Sequence, residues 1–367
     1  MALNDEKNLV AGPAEPTEPR KGVLFHILQH RFLLASLLVI IFFGGLFTWE
    51  YTHRGETPEQ VLEEVVASTP THMHKPAPTT PKPQEEKSSA LIPARQTPAP
   101  APSGAPGESA GNPLRGEVFA KALIKIIDDQ VNQPVLGWRP NTIILGKMGL
   151  TDNVNNFQLG VLEVARRTVV VLNEQFTRFA NTEAFDPRVN EAMNYLMVSP
   201  EKYWFPSASG KYREAIQDLE GYVIALRNGQ SRFYSRVDHL IVLLNNYRDL
   251  LGSNFNNLIK DTEADGSKVS WFRTDDYFYH AQGVSVAMAQ MLVAVTEDFH
   301  QELQKKNSHK LLEEAIHALH QAASMSPWVV TNGAKDGILA NHRCNMGGYI
   351  AEAEHLLNTL QLQLATN

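Results

Sequence analysis

The chain has 367 residues, 33 Lys and Arg against 40 Asp and Glu, a formal net charge of -7, and one cysteine, Cys344. From Gly116 onward 23 basic residues face 28 acidic ones, which excludes a dedicated nucleic-acid binder, because phosphate neutralisation needs clustered Lys and Arg. A lone thiol excludes an intramolecular disulfide framework and a multi-cysteine metal site.

Residues 1–31 carry Arg20, Lys21 and Arg31 and lead into Phe32–Thr48, 17 residues without a charge. At 1.5 Å per residue that run extends roughly 26 Å, close to the hydrocarbon thickness of a bilayer. Trp49 and Tyr51 follow it, where amphipathic rings favour the headgroup layer, and Arg54 is the one nearby basic residue on that side. The pattern predicts a single-pass membrane helix over 32–49, with residues 1–31 in the cytoplasm and the rest across the membrane. Phe47-Thr48-Trp49-Glu50-Tyr51 lacks a small-x-small cleavage site, so the helix is expected to remain as an anchor.

Residues 50–115 read as a Pro-rich disordered linker. Between Gly55 and Arg115 lie 12 of the 21 prolines and almost no large apolar side chain, so no core can form there. Pro76-x-Pro78, Pro81-x-Pro83 and Pro98-x-Pro100-x-Pro102 favour extended polyproline II. The 61 residues from Gly55 to Arg115 would span about 45 Å as a flexible coil and up to roughly 190 Å if extended throughout.

From residue 116 to 367 the apolar periodicity is helical, which predicts an all-α domain, a bundle of about seven to nine helices. The expected helices are Glu117–Val131, Asn155–Ala180, Pro187–Met197, Lys211–Asn228, Arg232–Lys260, Asp275–Lys305, Ser308–Met325 and one within Gly337–Leu364. Asn155, Asp186, Ser209, Ser231, Thr274 and Ser308 are the expected caps. Asp275–Lys305 carries Ala281, Val284, Met288, Met291, Val295 and Phe299 on one stripe and is the expected central helix.

The anchor, the Pro-rich spacer and the stretches Leu136-Gly137-Trp138-Arg139-Pro140-Asn141, Gly149-Leu150-Thr151-Asp152-Asn153 and Asp275-Asp276-Tyr277-Phe278-Tyr279-His280-Ala281-Gln282-Gly283 resemble a bacterial family catalogued as domain of unknown function 2333. The resemblance covers most of residues 20–367. It implies a bacterial inner-membrane protein with a periplasmic helical domain, and it brings neither an activity nor catalytic residues.

Several constellations could carry chemistry. Asp275 and Asp276, with Tyr279 and His280 one turn on, are the candidate acids and bases. After a Thr274 cap the same two acids would complement the helix macrodipole. Asp261-x-Glu263-x-Asp265-Gly266 opens like a calcium loop, but its twelfth position is Phe272 where an EF-hand needs Glu, so it reads as an acidic surface turn. His309, Glu313, His317 and His320 share an arc of about 80° on one helix, which reads as a solvated face beside the stripe of Leu312, Ala315 and Leu319 rather than a zinc site.

Trp138, Trp204, Trp271 and Trp328 all fall at expected helix junctions. With Arg139 and Phe205 they form the candidate binding surface, since exposed aromatics stack on sugar rings or anchor a protein partner. The competing reading is that they plug the ends of the bundle. The whole pattern predicts a tethered, non-catalytic binding or scaffold protein of the cell envelope. Phe32–Thr48 would hold the membrane, an envelope protein or peptidoglycan would be the partner, and no cofactor is called for. The alternative is a hydrolase or lyase acting on peptidoglycan or another envelope polymer through Asp275, Asp276 and His280.

Overall fold

A computed structural model describes residues 114–132, 137–142, 151–178, 183–333 and 338–366. The anchor and the spacer up to residue 113 lie outside the described residues, as do the side chains of Trp271 and Phe272. Nine α-helices account for most of what is described: α1 Glu117–Val131, α2 Asp152–Val171, α3 Pro187–Leu196, α4 Ala208–Arg227, α5 Val237–Ile259, α6 Trp271–Asp298, α7 His300–Lys305, α8 His309–Ser324 and α9 His342–Ala365. A π-helical turn, Leu172–Phe176, ends α2. Among the described residues the β-structure is limited to two isolated bridges, Thr262 with Lys268 and Asn332 with Asn341. The all-α expectation therefore holds.

Helix α6 is the centre, touching α1, α2, α5, α8 and α9. Among the described residues it alone is long and apolar enough to cross a membrane, yet 83% of that apolar window is buried inside the protein. Its side chains are covered by other helices: Phe278, Ala281, Val284, Met288, Met291, Leu292 and Val295 are fully buried. Complete burial of each larger one stabilises the fold by roughly 1.5–3 kcal/mol. Helices α5 and α9 pair lengthwise, and buried Arg343 at the start of α9 donates through Nη2 to the carbonyls of Asn257 and Lys260 at 2.7 and 2.9 Å. Those carbonyls end α5 and lack intrahelical partners, so the guanidinium closes one helix with the first turn of another.

One end of the bundle is fixed by Asp298, the last residue of α6. Its carboxylate accepts from the backbone N–H of Gly116 at 2.8 Å and of Phe119 at 2.7 Å, capping α1 from a distant helix. Beside it Phe119, Phe176, Phe233 and Phe299 cluster with ring centres 5.0–5.8 Å apart. Gly116 has φ +85°, and a Cβ there would lie 2.3 Å from the Phe233 ring. Only glycine meets both demands at that position.

Several boundaries differ from expectation. Helix α2 starts at Asp152 rather than Asn155 and ends at Phe176, whose carbonyl accepts the Tyr234 N–H at 2.7 Å. That tie holds residues 232–236 out of the helix, so α5 begins at Val237 rather than Arg232. Ser207 rather than Ser209 caps α4, and Ser270 rather than Thr274 caps α6. Ser308 holds the N-cap position of α8 as expected, but its hydroxyl donates to the Lys306 carbonyl and makes no side-chain capping bond. Helices α6 and α7 divide at Phe299, a break inside the expected Asp275–Lys305 helix.

Candidate functional site

Three of the sequence-selected aromatics, Trp138, Trp204 and Phe205, line a cleft of about 540 Å³ at the end of the bundle opposite Asp298. Helices α1 and α4 run antiparallel: Arg227 at the end of α4 pairs with Glu117, whereas Arg213 near its start meets Asn132 and the Val131 carbonyl. The cleft lies at the latter end, lined by Asn132, Trp138, Asn141, Tyr203, Trp204, Phe205, Ser207, Ser209 and Arg213.

Each wall has a traceable support. Buried Gln158 of α2 accepts the Arg139 N–H at 3.0 Å and donates to the carbonyls of Gly137 and Gln130 at 3.0 and 3.2 Å. That one amide fixes the turn carrying Trp138. The Trp138 indole N–H donates to the Pro200 carbonyl at 2.8 Å, and its ring meets Tyr212 edge to face at 5.0 Å. Arg166 of α2 donates to the carbonyls of Leu196 and Val198, both at 2.8 Å, which pins the end of α3 and launches the loop over 199–206. At the tip of that loop Trp204 and Phe205 are 75% and 97% exposed.

The six surface candidates therefore separate. Trp138 and Arg139 are 3% and 2% exposed, a correction to their reading as open surface: the Gln158 and Pro200 bonds draw both inward, and only the indole of Trp138 forms a cleft wall. Trp204 and Phe205 stand at the mouth. Trp328 is 97% exposed on a second loop beyond α8, beside exposed Val329, Ile338 and Leu339. That loop is closed by the bridge between Asn332 and Asn341 and by His342 Nδ1, which accepts the Thr331 N–H at 3.0 Å. Trp271 opens α6, with its indole outside the described set.

The acid and base candidates are held by different helices. Asp276 accepts from Asn156 of α2 at 2.7 Å, while His280 bonds Asn254 of α5 at 2.9 Å. Asn254 donates its own amide to the Leu250 carbonyl, so its oxygen faces the imidazole and Nδ1 carries the proton. Burial pushes the His280 pKa down. Asp276 is pushed up to about 7 by burial and by the Asp152 carboxyl hydrogen-bonded beside it, with Asp275 adding to the effect. Burial also raises Asp275. Tyr279 packs on the core, edge-on to Phe278. With α6 starting at Trp271, the two acids lie beyond the first turn and are not its dipole partners, a correction to that reading.

The calcium-loop candidates do not converge. Glu263 takes Lys260 and the Tyr277 hydroxyl, each at 2.9 Å, and Asp265 accepts from both the N–H and the hydroxyl of Ser267. The Glu263 and Asp265 carboxylates are thus each spent on other partners. On α8, Glu313 and His317 are exposed, and His309 meets His300 of α7 at 3.0 Å while lying 3.9 Å from Glu313. Among the described residues no group of three His, Cys, Asp or Glu side chains is placed to hold a metal. Sequence reasoning missed Asn132, Asn141 and Arg213 in the cleft and Asp152 and Asn156 beside Asp276, since nothing local marks residues that meet only after the helices pack.

No curated protein and no solved structure matches the chain. A family profile described as an uncharacterized protein conserved in bacteria (DUF2333) matches residues 93–265 and 255–365. The match runs from within the Pro-rich spacer to the last turn of α9, well over half the sequence, and the chain belongs to this family of uncharacterized bacterial proteins.

Proposed function

We propose that this protein is a membrane-tethered, non-catalytic binding module of the bacterial cell envelope, anchored by Phe32–Thr48 and working through the cleft beneath Trp204 and Phe205. The observation that carries the reading is the exposure of two large adjacent rings, 75% and 97%, at the mouth of a cleft whose walls are rigidly braced. Free exposure of that much apolar surface costs solvation free energy and is retained where a partner covers it.

Polarity supports the same reading. The first described residues enter the domain beside Asp298, and α1, about 22 Å long, separates that point from the cleft. The described chain therefore enters the domain at the end remote from the cleft. The test is co-purification of the full-length protein from envelope extracts beside a Trp204→Ala, Phe205→Ala double variant. Loss of a retained component with unchanged folding is expected; identical retention by both proteins would overturn the assignment of this surface.

A second reading, hydrolysis or lysis of an envelope polymer, rests on Asp276, whose carboxyl is pushed up to about 7 and so holds a proton near neutrality, as a general acid must. Release of soluble fragments from envelope polymer by the protein, abolished in a folded Asp276→Asn variant, would establish it. Full activity in that variant would remove Asp276 from the role.

A further inference from the structure

We propose that the cleft takes a carbohydrate strand bearing a carboxylate, with sugar rings stacked on Trp204 and Phe205 and the acid directed to Arg213. This deepens the binding-module reading and rests on it.

The chemistry of the walls selects the ligand class. The cleft, at about 540 Å³, falls in the range of sites for small ligands and short chain segments, roughly 300–1,000 Å³, and differs from the flat patches that dock folded proteins. Its mouth is aromatic: Tyr203 and Trp204 meet edge to face at 5.3 Å, which fixes the indole plane, and Phe205 extends the apolar rim. The C–H groups on the face of a pyranose are weakly positive and lie against the negative face of such rings.

The walls also carry the amides of Asn132 and Asn141 and the hydroxyls of Thr142, Ser207 and Ser209. Groups of this kind both donate and accept, which matches sugar hydroxyl and N-acetyl groups better than it matches an apolar peptide. The Asn141 amide lies 3.4 Å from both Ser209 Oγ and the Lys202 carbonyl, contacts long enough to be exchanged for a ligand.

Charge narrows the class further. Among the described lining residues Arg213 is the one ionised side chain, and none is acidic. Its Nε and Nη2 are braced on Asn132 Oδ1 at 2.8 Å and on the Val131 carbonyl at 3.3 Å, so the guanidinium is oriented before any ligand arrives. The positive end of the α4 dipole lies on the same side, with the Ala208 and Gly210 N–H groups already taken by the Lys202 carbonyl and Ser207 Oγ. A neutral sugar would leave this positive corner unused, and a basic peptide would be repelled by it.

The experiment titrates the full-length protein in detergent with three probes, following tryptophan fluorescence and calorimetry. The probes are peptide-free peptidoglycan glycan strands, whose sugars carry lactyl carboxylates; the same strands with the carboxylates reduced to alcohols; and chitotetraose, a neutral N-acetylated oligosaccharide. The expected result is saturable binding of the native strands, weakened at least tenfold by Trp204→Ala and at least fivefold by carboxylate reduction. Arg213→Gln should remove the difference between native and reduced strands, with Arg213→Lys restoring part of it.

Equal binding of all three probes, unchanged in Arg213→Gln, would overturn the carboxylate assignment. Binding of none would overturn the carbohydrate assignment. In that case, retention of an envelope protein that depends on Trp204 and Phe205 would show that the binding-module reading survives the loss of its proposed ligand.

Discussion

Gly160 of α2 and Gly283 of α6 each lie against the main chain of the other's helix. A Cβ at Gly160 would sit 2.1 Å from the His280 carbonyl oxygen, and one at Gly283 would sit 2.1 Å from the Phe157 carbonyl oxygen. The two helices touch backbone to backbone at this crossing, which brings Asn156 onto Asp276 and sets the height at which Gln158 meets the turn before Trp138.

In an exposed helix, Gly→Ala stabilises by up to about 1 kcal/mol; here the sign reverses. Because the obstructing atoms are backbone, neither helix can yield by a side-chain rotation. Gly160→Ala and Gly283→Ala are each expected to destabilise by about 3 kcal/mol, lowering the melting temperature by roughly 6–12 °C. Gly348 on α9 is exposed and has open space around it, so Gly348→Ala should gain up to about 1 kcal/mol. Thermal unfolding of the three variants checks both signs together.

The Asp276 carboxyl of α6 gives stability a pH dependence. Asp276 is raised to about 7 in the folded protein from an ordinary value of 3.8, principally by burial and then by Asp152. A carboxyl that holds its proton more tightly when folded contributes most below about pH 4 and loses that contribution as the pH climbs to about 7. The group is half-buried, so after solvent screening the difference amounts to about 1–2 kcal/mol. Asp276→Asn keeps an oxygen for the Asn156 amide and removes the ionisation. Urea unfolding should therefore find the variant level with the parent at pH 4 and more stable at pH 8. A parallel pH dependence in the two proteins would show that Asp276 does not titrate in this range.

The bundle was legible because burial follows helical periodicity: Glu117–Val131 holds to the residue, and the stripe from Ala281 to Val295 is the buried face expected of a central helix. Boundaries shifted where tertiary bonds overrode local caps. Asn155 looks like a cap, but Thr151 precedes the first turn, and Asn155 lies buried one turn later. Ser231 looks like another, but its hydroxyl donates to Asp186 at 2.7 Å while Tyr234 ties its segment to Phe176. Trp204 and Phe205 were legible as exposed aromatics because a Tyr-Trp-Phe-Pro run between helices is unusual. Arg213 and Asn132 were not, since 81 residues separate them and only the antiparallel packing of α1 on α4 joins them.

Asp298 offers a test of long-range capping. It supplies the acceptors that α1 lacks at its own start, where Gly116 has no side chain to give. Asp298→Ala would leave the Gly116 and Phe119 N–H groups without that acceptor, at a cost of about 2–3 kcal/mol. The loss should be local as well as global. Hydrogen exchange is expected to quicken at residues 116–120 well before it changes in α5 or α9, and uniform exchange across the bundle would count against the carboxylate as the clamp.

Trp138 and Trp204 lie in one cleft yet should answer opposite questions. Trp138 is 3% exposed, bonded to Pro200 and packed on Tyr212, so its removal opens a cavity in the core. Trp138→Ala is expected to destabilise by about 3–5 kcal/mol. Trp204 is 75% exposed, and Trp204→Ala should change stability by no more than about 0.5 kcal/mol. Chemical unfolding of both variants, set beside the binding titration, separates framework from surface: a residue that costs binding without costing stability contacts the partner, whereas one that costs both shapes the wall. Large destabilisation by Trp204→Ala would mean that the exposed ring supports the loop itself, and Phe205 alone would then be left as the exposed contact at the mouth of the cleft.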